Sequence, residues 1–230
     1  MEEETPNNLP FGQLLDNIDP ARLSGELEIF TLLTLLGFVP ILLVAATTFT
    51  RNIIVFSFLR TALGLQQSPP NIVLVTLALF LTFFVMSPVF SASYSAGIEP
   101  YLASEMNLST GLTNAWQPFR EFMISQTGER DIELIYELSK TEIPATADLV
   151  ANTKLIPAYL LSELKTAFKI GFIIYLPFLL IDIVMAAILM SLGMIMVPPI
   201  TISLPLKIML FVVIDGWGLI AETLVKSAMV

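Results

Sequence analysis

Leu192-Gly193-Met194-Ile195-Met196-Val197-Pro198-Pro199 decides the fold, because long apolar runs stand on both sides of it. Ile170 to Ser191 precedes it and Ile200 to Ile220 follows, broken only by Asp182, Lys207, Asp215 and a few prolines. A helix needs about 20 apolar residues to cross the hydrocarbon layer, so runs of this length belong in lipid or in an assembly that replaces lipid. Gly193, Pro198 and Pro199 are loop breakers that stop the two helices. The expectation is a helical hairpin whose turn carries two methionines and almost nothing polar.

With the turn centred near Met194, Asp182 and Lys207 lie about equally far from it in the chain. Antiparallel legs bring them to similar depth, where an ionised group costs several kcal/mol unless it is paired or wetted. Two outcomes satisfy this: an Asp182–Lys207 pair, or pairing of each residue with a neighbouring copy. A plainer reading places both at the polar interface of a tilted helix.

Composition extends the membrane reading to the whole chain. Of 230 residues, 55% are hydrophobic and only 13% charged, where soluble domains carry about 25% charged residues; mean hydropathy is +0.80. The formal charge of -9 comes with no basic cluster, so nucleic acid is not an expected partner. The absence of cysteine and histidine excludes disulfides, thiolate or imidazole metal sites, and Cys or His catalysis. No GxxxxGK[ST] phosphate loop is present, which argues against nucleotide hydrolysis. No cofactor is expected, and no enzymatic turnover.

Outward from the hairpin, residues 1–28 form an acidic lead-in with Pro6, Pro10 and Pro20. It lacks the basic and apolar regions of a signal peptide, so either the first apolar run is an uncleaved anchor or a processed segment is missing from this numbering. Ile29 to Phe49 is charge-free and predicts a first membrane-length helix, with a kink at Pro40. Arg51 to Gly64 continues it amphipathically and ends at Gly64 and Pro69-Pro70. Asn71 to Ser87 predicts a second helix closed by Pro88. The positive-inside rule puts the link holding Arg51 and Arg60 in the cytoplasm and the segment after Pro88 outside.

Residues 99–169 carry about half of the charged residues and read as a small helical extracytoplasmic region. Pro118 is placed at the first turn of a helix with Phe119, Phe122 and Met123 on one face. Gly128 separates it from Glu129 to Leu138, where Ile132, Ile135 and Tyr136 form a stripe. A third helix is placed near Pro157 and contains Glu163. These stripes read as an ordinary small core. The resulting fold class is an all-α integral membrane protein. About four hydrophobic helices form hairpins over 29–98 and 170–230, with the small helical region between the second and third.

Asp182 and Asp215 are candidates for proton relay, as buried acids are in transporters, or for assembly contacts. The methionine turn suggests more. Methionine is flexible and polarizable, and copies of Met194 and Met196 converging on an axis would close a pore with a deformable apolar ring that bars ions when empty. The plainer reading gives them lipid contact or core filling.

At this point the sequence resembles the FliP family of flagellar type III export-gate proteins, whose injectisome counterparts are the SctR proteins. The resemblance is carried by Phe49-Thr50-Arg51, Leu59 to Gly64, Ser68-Pro69-Pro70-Asn71, Leu77 to Pro88, Pro118 to Met123, Pro157-Ala158-Tyr159, Ser162 to Phe168, Met196 to Pro199 and Asp215-Gly216-Trp217. It implies a homo-oligomer that assembles with FliQ and FliR into a helical, ring-like gate, with FlhB and FlhA as further partners. That gate lies in the flagellar basal body at the bacterial inner membrane, raised towards the periplasmic side, so its hairpins need not cross a bilayer. Unfolded flagellar subunits pass through it, driven by the proton motive force and a separate cytoplasmic ATPase.

The family's methionine-rich pore gasket maps onto Met194, Ile195 and Met196, with isoleucine at the middle position making the ring stiffer and bulkier there. Its inner-pore phenylalanine maps onto Phe122, and its assembly or gating charges onto Glu163, Lys207, Asp182, Asp215, Arg51 and Arg60. The N-terminus departs from members that carry a cleavable signal peptide. The expected function is a pore-forming subunit of the flagellar protein export gate. Its rivals are a proton- or ion-coupled transporter with Asp182 and Asp215 as carriers, and a non-conducting basal-body scaffold.

Overall fold

Apolar runs without strand alternation fold as helix throughout. The computed structural model describes residues 25–146, 149–194 and 196–229, and among these no residue is in a strand. Most of the acidic lead-in, residues 1–24, lies outside the described residues, and so does Ile195. The helices are α1 (Gly25–Ala46), α2 (Phe49–Ala62), α3 (Asn71–Ser93), a π-helical turn (Tyr94–Ile98), α4 (Glu99–Leu102), α5 (Leu108–Gln126), α6 (Glu129–Leu138), α7 (Asn152–Ser191), α8 (Pro199–Val213) and α9 (Gly216–Ala228). Two helical stretches, Asn71–Leu102 and Asn152–Ser191, are long and apolar enough to cross a membrane, and up to four spans result if each of two broken helix pairs counts as one.

Three prolines behave differently from their sequence reading. Pro88 does not close the second helix, which runs on to Ser93. Pro118 lies inside α5, whose start is set instead by Asn107, its side chain accepting from the Thr110 N–H at 2.8 Å. Pro157 lies inside the 40-residue α7, which joins the expected third helix to the Ile170 run without a break. Each proline removes one backbone bond, a loss outweighed by the apolar burial of the helix that runs through it. The first helix likewise runs through Pro40 and stops at Ala46. Gly128, in contrast, separates α5 from α6 where expected.

The chain divides into two compact units, residues 1–47 with 86–163 and residues 48–85 with 164–230. The first is built on Met123, Tyr136, Val150, Leu155 and Tyr159, flanked by Phe119, Phe122 and Ile132, so the aromatic stripes of α5 and α6 do meet in one small core. Hydrogen bonds tie its loops down. Arg120 donates to the Val150 carbonyl at 2.9 Å. The Gly128 N–H donates to Ser162 Oγ (3.0 Å), which donates to Asp131 (2.6 Å), satisfying the start of α6 from a distant helix. Gly97 in the π-helical turn crosses α5 so closely that a Cβ there would lie 2.1 Å from the Gly111 carbonyl oxygen.

The second unit is built on Val55, Phe56, Leu59, Leu74, Phe178, Phe211 and Leu224. Its α2 ends at Gly64, whose φ of +74° suits a residue without a Cβ. The same unit leaves Phe80, Phe84, Phe172, Leu180 and Val213 exposed. An apolar surface of that extent is covered by lipid or by other chains in a stable protein.

Candidate functional site

The hairpin forms as its breakers dictate. Helix α7 ends at Ser191 and closes with a Schellman cap: the Gly193 N–H donates to the Met190 carbonyl (3.1 Å) and the Met194 N–H to the Leu189 carbonyl (2.9 Å). That geometry needs a left-handed residue at position 193, and Gly193 supplies it with φ +71°. Pro198 is extended and Pro199 starts α8, a position where proline has no helical bond to lose. The side chains of the turn stand outward. Met196 is 96% exposed, Met190 66% and Met194 42%.

Between the legs, the Lys207 ammonium donates to Asp182 Oδ2 at 2.5 Å and to the Ala62 carbonyl at 3.0 Å. Ser203, fully buried one helical turn before Lys207, donates to the other carboxylate oxygen at 2.7 Å. One cation therefore joins α7 and α8 and also meets the C-terminal turn of α2, where the helix dipole favours positive charge. The two partners are unequally placed, with side-chain exposures of 3% for Lys207 and 31% for Asp182. Asp182 reaches the chain's surface while Lys207 depends on its contacts within the chain.

The other expected charges sit elsewhere. Asp215 takes no part in the pair; it occupies a left-handed conformation (φ +49°) at the elbow where α8 gives way to α9 with a bend of 63°. Two glycines make that elbow possible. A Cβ on Gly216 would lie 2.1 Å from the Phe211 ring, and one on Gly218 would lie 2.4 Å from the Asp215 carboxylate. Trp217 packs edge-on to Phe211 at 5.4 Å. Arg51 is buried and donates to the Ser227 carbonyl (2.6 Å) and hydroxyl (3.0 Å), closing the last turn of α9. Arg60 donates to Asn71 at 2.5 Å across the α2–α3 link.

In the first unit, Glu163 is fully buried, and Phe122 packs edge-on to Tyr159 with ring centroids 6.3 Å apart. Sequence reasoning missed Ser203, Ser227, Gly97 and Gly111. Ser203 left a usable signal, since it precedes Lys207 by four residues and so shares its helix face. Ser227 left none, standing 176 residues from Arg51. Among the described residues, no group of acids is placed to hold a metal ion.

The FliP family model matches residues 32–224 of this chain. The flagellar biosynthetic protein FliP of Bacillus subtilis (strain 168) is 44% identical over 217 residues, covering 94% of this chain and 98% of that relative. The protein of the same name from Caulobacter vibrioides is 48% identical over 200 residues, covering 87% and 75% respectively. That of Pectobacterium carotovorum subsp. carotovorum is 48% identical over 202 residues, covering 88% and 78%.

Proposed function

This chain belongs to the FliP family, and on that premise we propose that it is a pore-forming subunit of the flagellar type III protein export gate. Family membership makes it a component of the flagellar export apparatus, and its helices suit a membrane location. The pore role is the further step. It rests on one observation: the turn Leu192–Pro198 presents methionines outward from a hairpin whose legs are tied by an ion pair with a buried lysine. A tip that must seal and then yield needs soft apolar side chains on a fixed base, and this hairpin has both.

In this reading several copies bring Met194, Ile195 and Met196 together as a gasket, with Phe122 at an inner level of the passage. FliQ, FliR, FlhB and FlhA complete the apparatus at the bacterial inner membrane and flagellar basal body. Unfolded flagellar subunits are the cargo. The chain itself carries out no turnover. The transporter reading has less support, because Asp182 is held by Lys207 and Ser203 and Asp215 stands exposed at an elbow.

The chain has no cysteine, which makes the test direct. Single cysteines replace Met194 or Met196, and crosslinks are collected in cells at rest and with an export substrate stalled in transit. The expected result is crosslinking to neighbouring copies at rest and to the stalled chain during export. Labelling by lipid-soluble reagents alone, with neither crosslink, would place the turn on an outer wall and leave the scaffold or transporter reading standing.

A further inference from the structure

From Leu192 to Ile200 the chain has no polar side chain, yet three of its ten methionines fall at 190, 194 and 196. All three are exposed in the hairpin, as Met209 and Met229 are elsewhere in the chain, whereas Met86 and Met123 are fully buried; what sets the three apart is that they cluster about one turn with no polar side chain. Thioether oxidation follows access to the sulfur. The hairpin methionines are therefore open to chemistry from which Met86 and Met123 are shielded.

The consequence is large because of what surrounds the sulfurs. A peroxide transfers one oxygen atom to the thioether lone pair: the O–O bond breaks, the S–O bond forms, and hydrogen peroxide leaves as water. Sulfur loses two electrons and the peroxide gains them. The product sulfoxide is strongly polar, and at Met194 or Met196 it would be the sole polar side chain in the turn. A constriction that excludes ions by staying dry loses that property when a polar group lines it.

We propose that Met190, Met194 and Met196 form an oxidation site through which peroxides wet the tip of the hairpin and make the closed gate leak ions. This rests on the pore reading above and adds a mode of control to it. Methionine sulfoxide reductases, one for each sulfoxide epimer, would restore the seal.

The test uses membrane vesicles containing the complete assembled export gate, treated with hydrogen peroxide. Oxidation is read residue by residue by peptide mass spectrometry, and ion leak by a fluorescent flux assay. We expect Met190, Met194 and Met196 to oxidise about tenfold faster than Met86 and Met123, in line with their exposure. Leak should rise with turn oxidation and fall again on adding both reductases. In a Met190→Leu/Met194→Leu/Met196→Leu variant, peroxide should leave leak at that variant's own untreated level. If the variant does not assemble, reversal by the reductases still decides the matter in the native complex. Oxidation of the turn no faster than of Met123, or full oxidation with unchanged leak, overturns the inference. Cysteine crosslinking to a stalled substrate separates the two failures. Crosslinks with unchanged leak discard the oxidation site alone, and absence of both discards the pore reading as well.

Discussion

The base and the tip of the same hairpin obey opposite rules. At the base, Asp182, Ser203, Lys207 and the Ala62 carbonyl satisfy one another within 3.0 Å. At the tip, beyond the end of α7, Met196 is almost fully exposed. Stability is concentrated where charge is buried, and adaptability where nothing polar has to be placed. A mutation at the base should therefore be read in assembly, and one at the tip in transport.

The largest effect should come from Asp182→Ala. It strands Lys207 in a site that is almost sealed, and removing one member of a buried pair costs about 3–5 kcal/mol. Yield of the purified complex and its Tm should both fall sharply. Unchanged yield would show that the pair does not support assembly. Lys207→Met should cost less, about 1–3 kcal/mol, because Asp182 keeps its bond from Ser203 and is only partly buried within the chain. Equal losses in the two variants would break the asymmetry between the partners.

Ser203→Ala comes next, removing a hydrogen bond to a charged group at a cost of about 1.5–3 kcal/mol, and it should lower Tm with the ion pair still formed. Gly193→Ala isolates the tip's backbone. A Cβ there would meet nothing within 4 Å, so only the left-handed conformation is penalised, by about 1–2 kcal/mol. In a Met196→Cys background it should alter crosslinking from the introduced thiol more than it alters complex yield. Lys226→Ala, which breaks an exposed pair with Glu222, should leave Tm unchanged. A measurable loss there would mean that this surface is covered in the assembly.

The hairpin was legible because its signals are local. Gly193, Pro198 and Pro199 restrict their own backbone angles, and Asp182 and Lys207 are found by counting outward from the turn. The core of α5 and α6 was legible for the same reason, since Phe119, Met123, Ile132 and Tyr136 follow the helical period. The errors lie where local cost competes with packing. Pro88, Pro118 and Pro157 each look like helix boundaries, and each lies within a helix. About 3 kcal/mol of proline cost is outweighed by apolar burial worth about 1.5–3 kcal/mol for each large side chain.

By itself, then, the sequence determined an all-helical chain of membrane character, the position of the methionine turn and the matching level of Asp182 and Lys207 along the two legs. These follow from residue chemistry and from spacings short enough for helix geometry to fix. Only the tertiary structure decided that those two residues pair within one chain, that Ser203 holds the second oxygen of Asp182, that Lys207 also meets the Ala62 carbonyl, and that Arg51 closes the last turn of a helix 176 residues away. Such contacts join groups that no local period relates. They exist because a buried donor or acceptor must find a partner wherever the packed chain brings one.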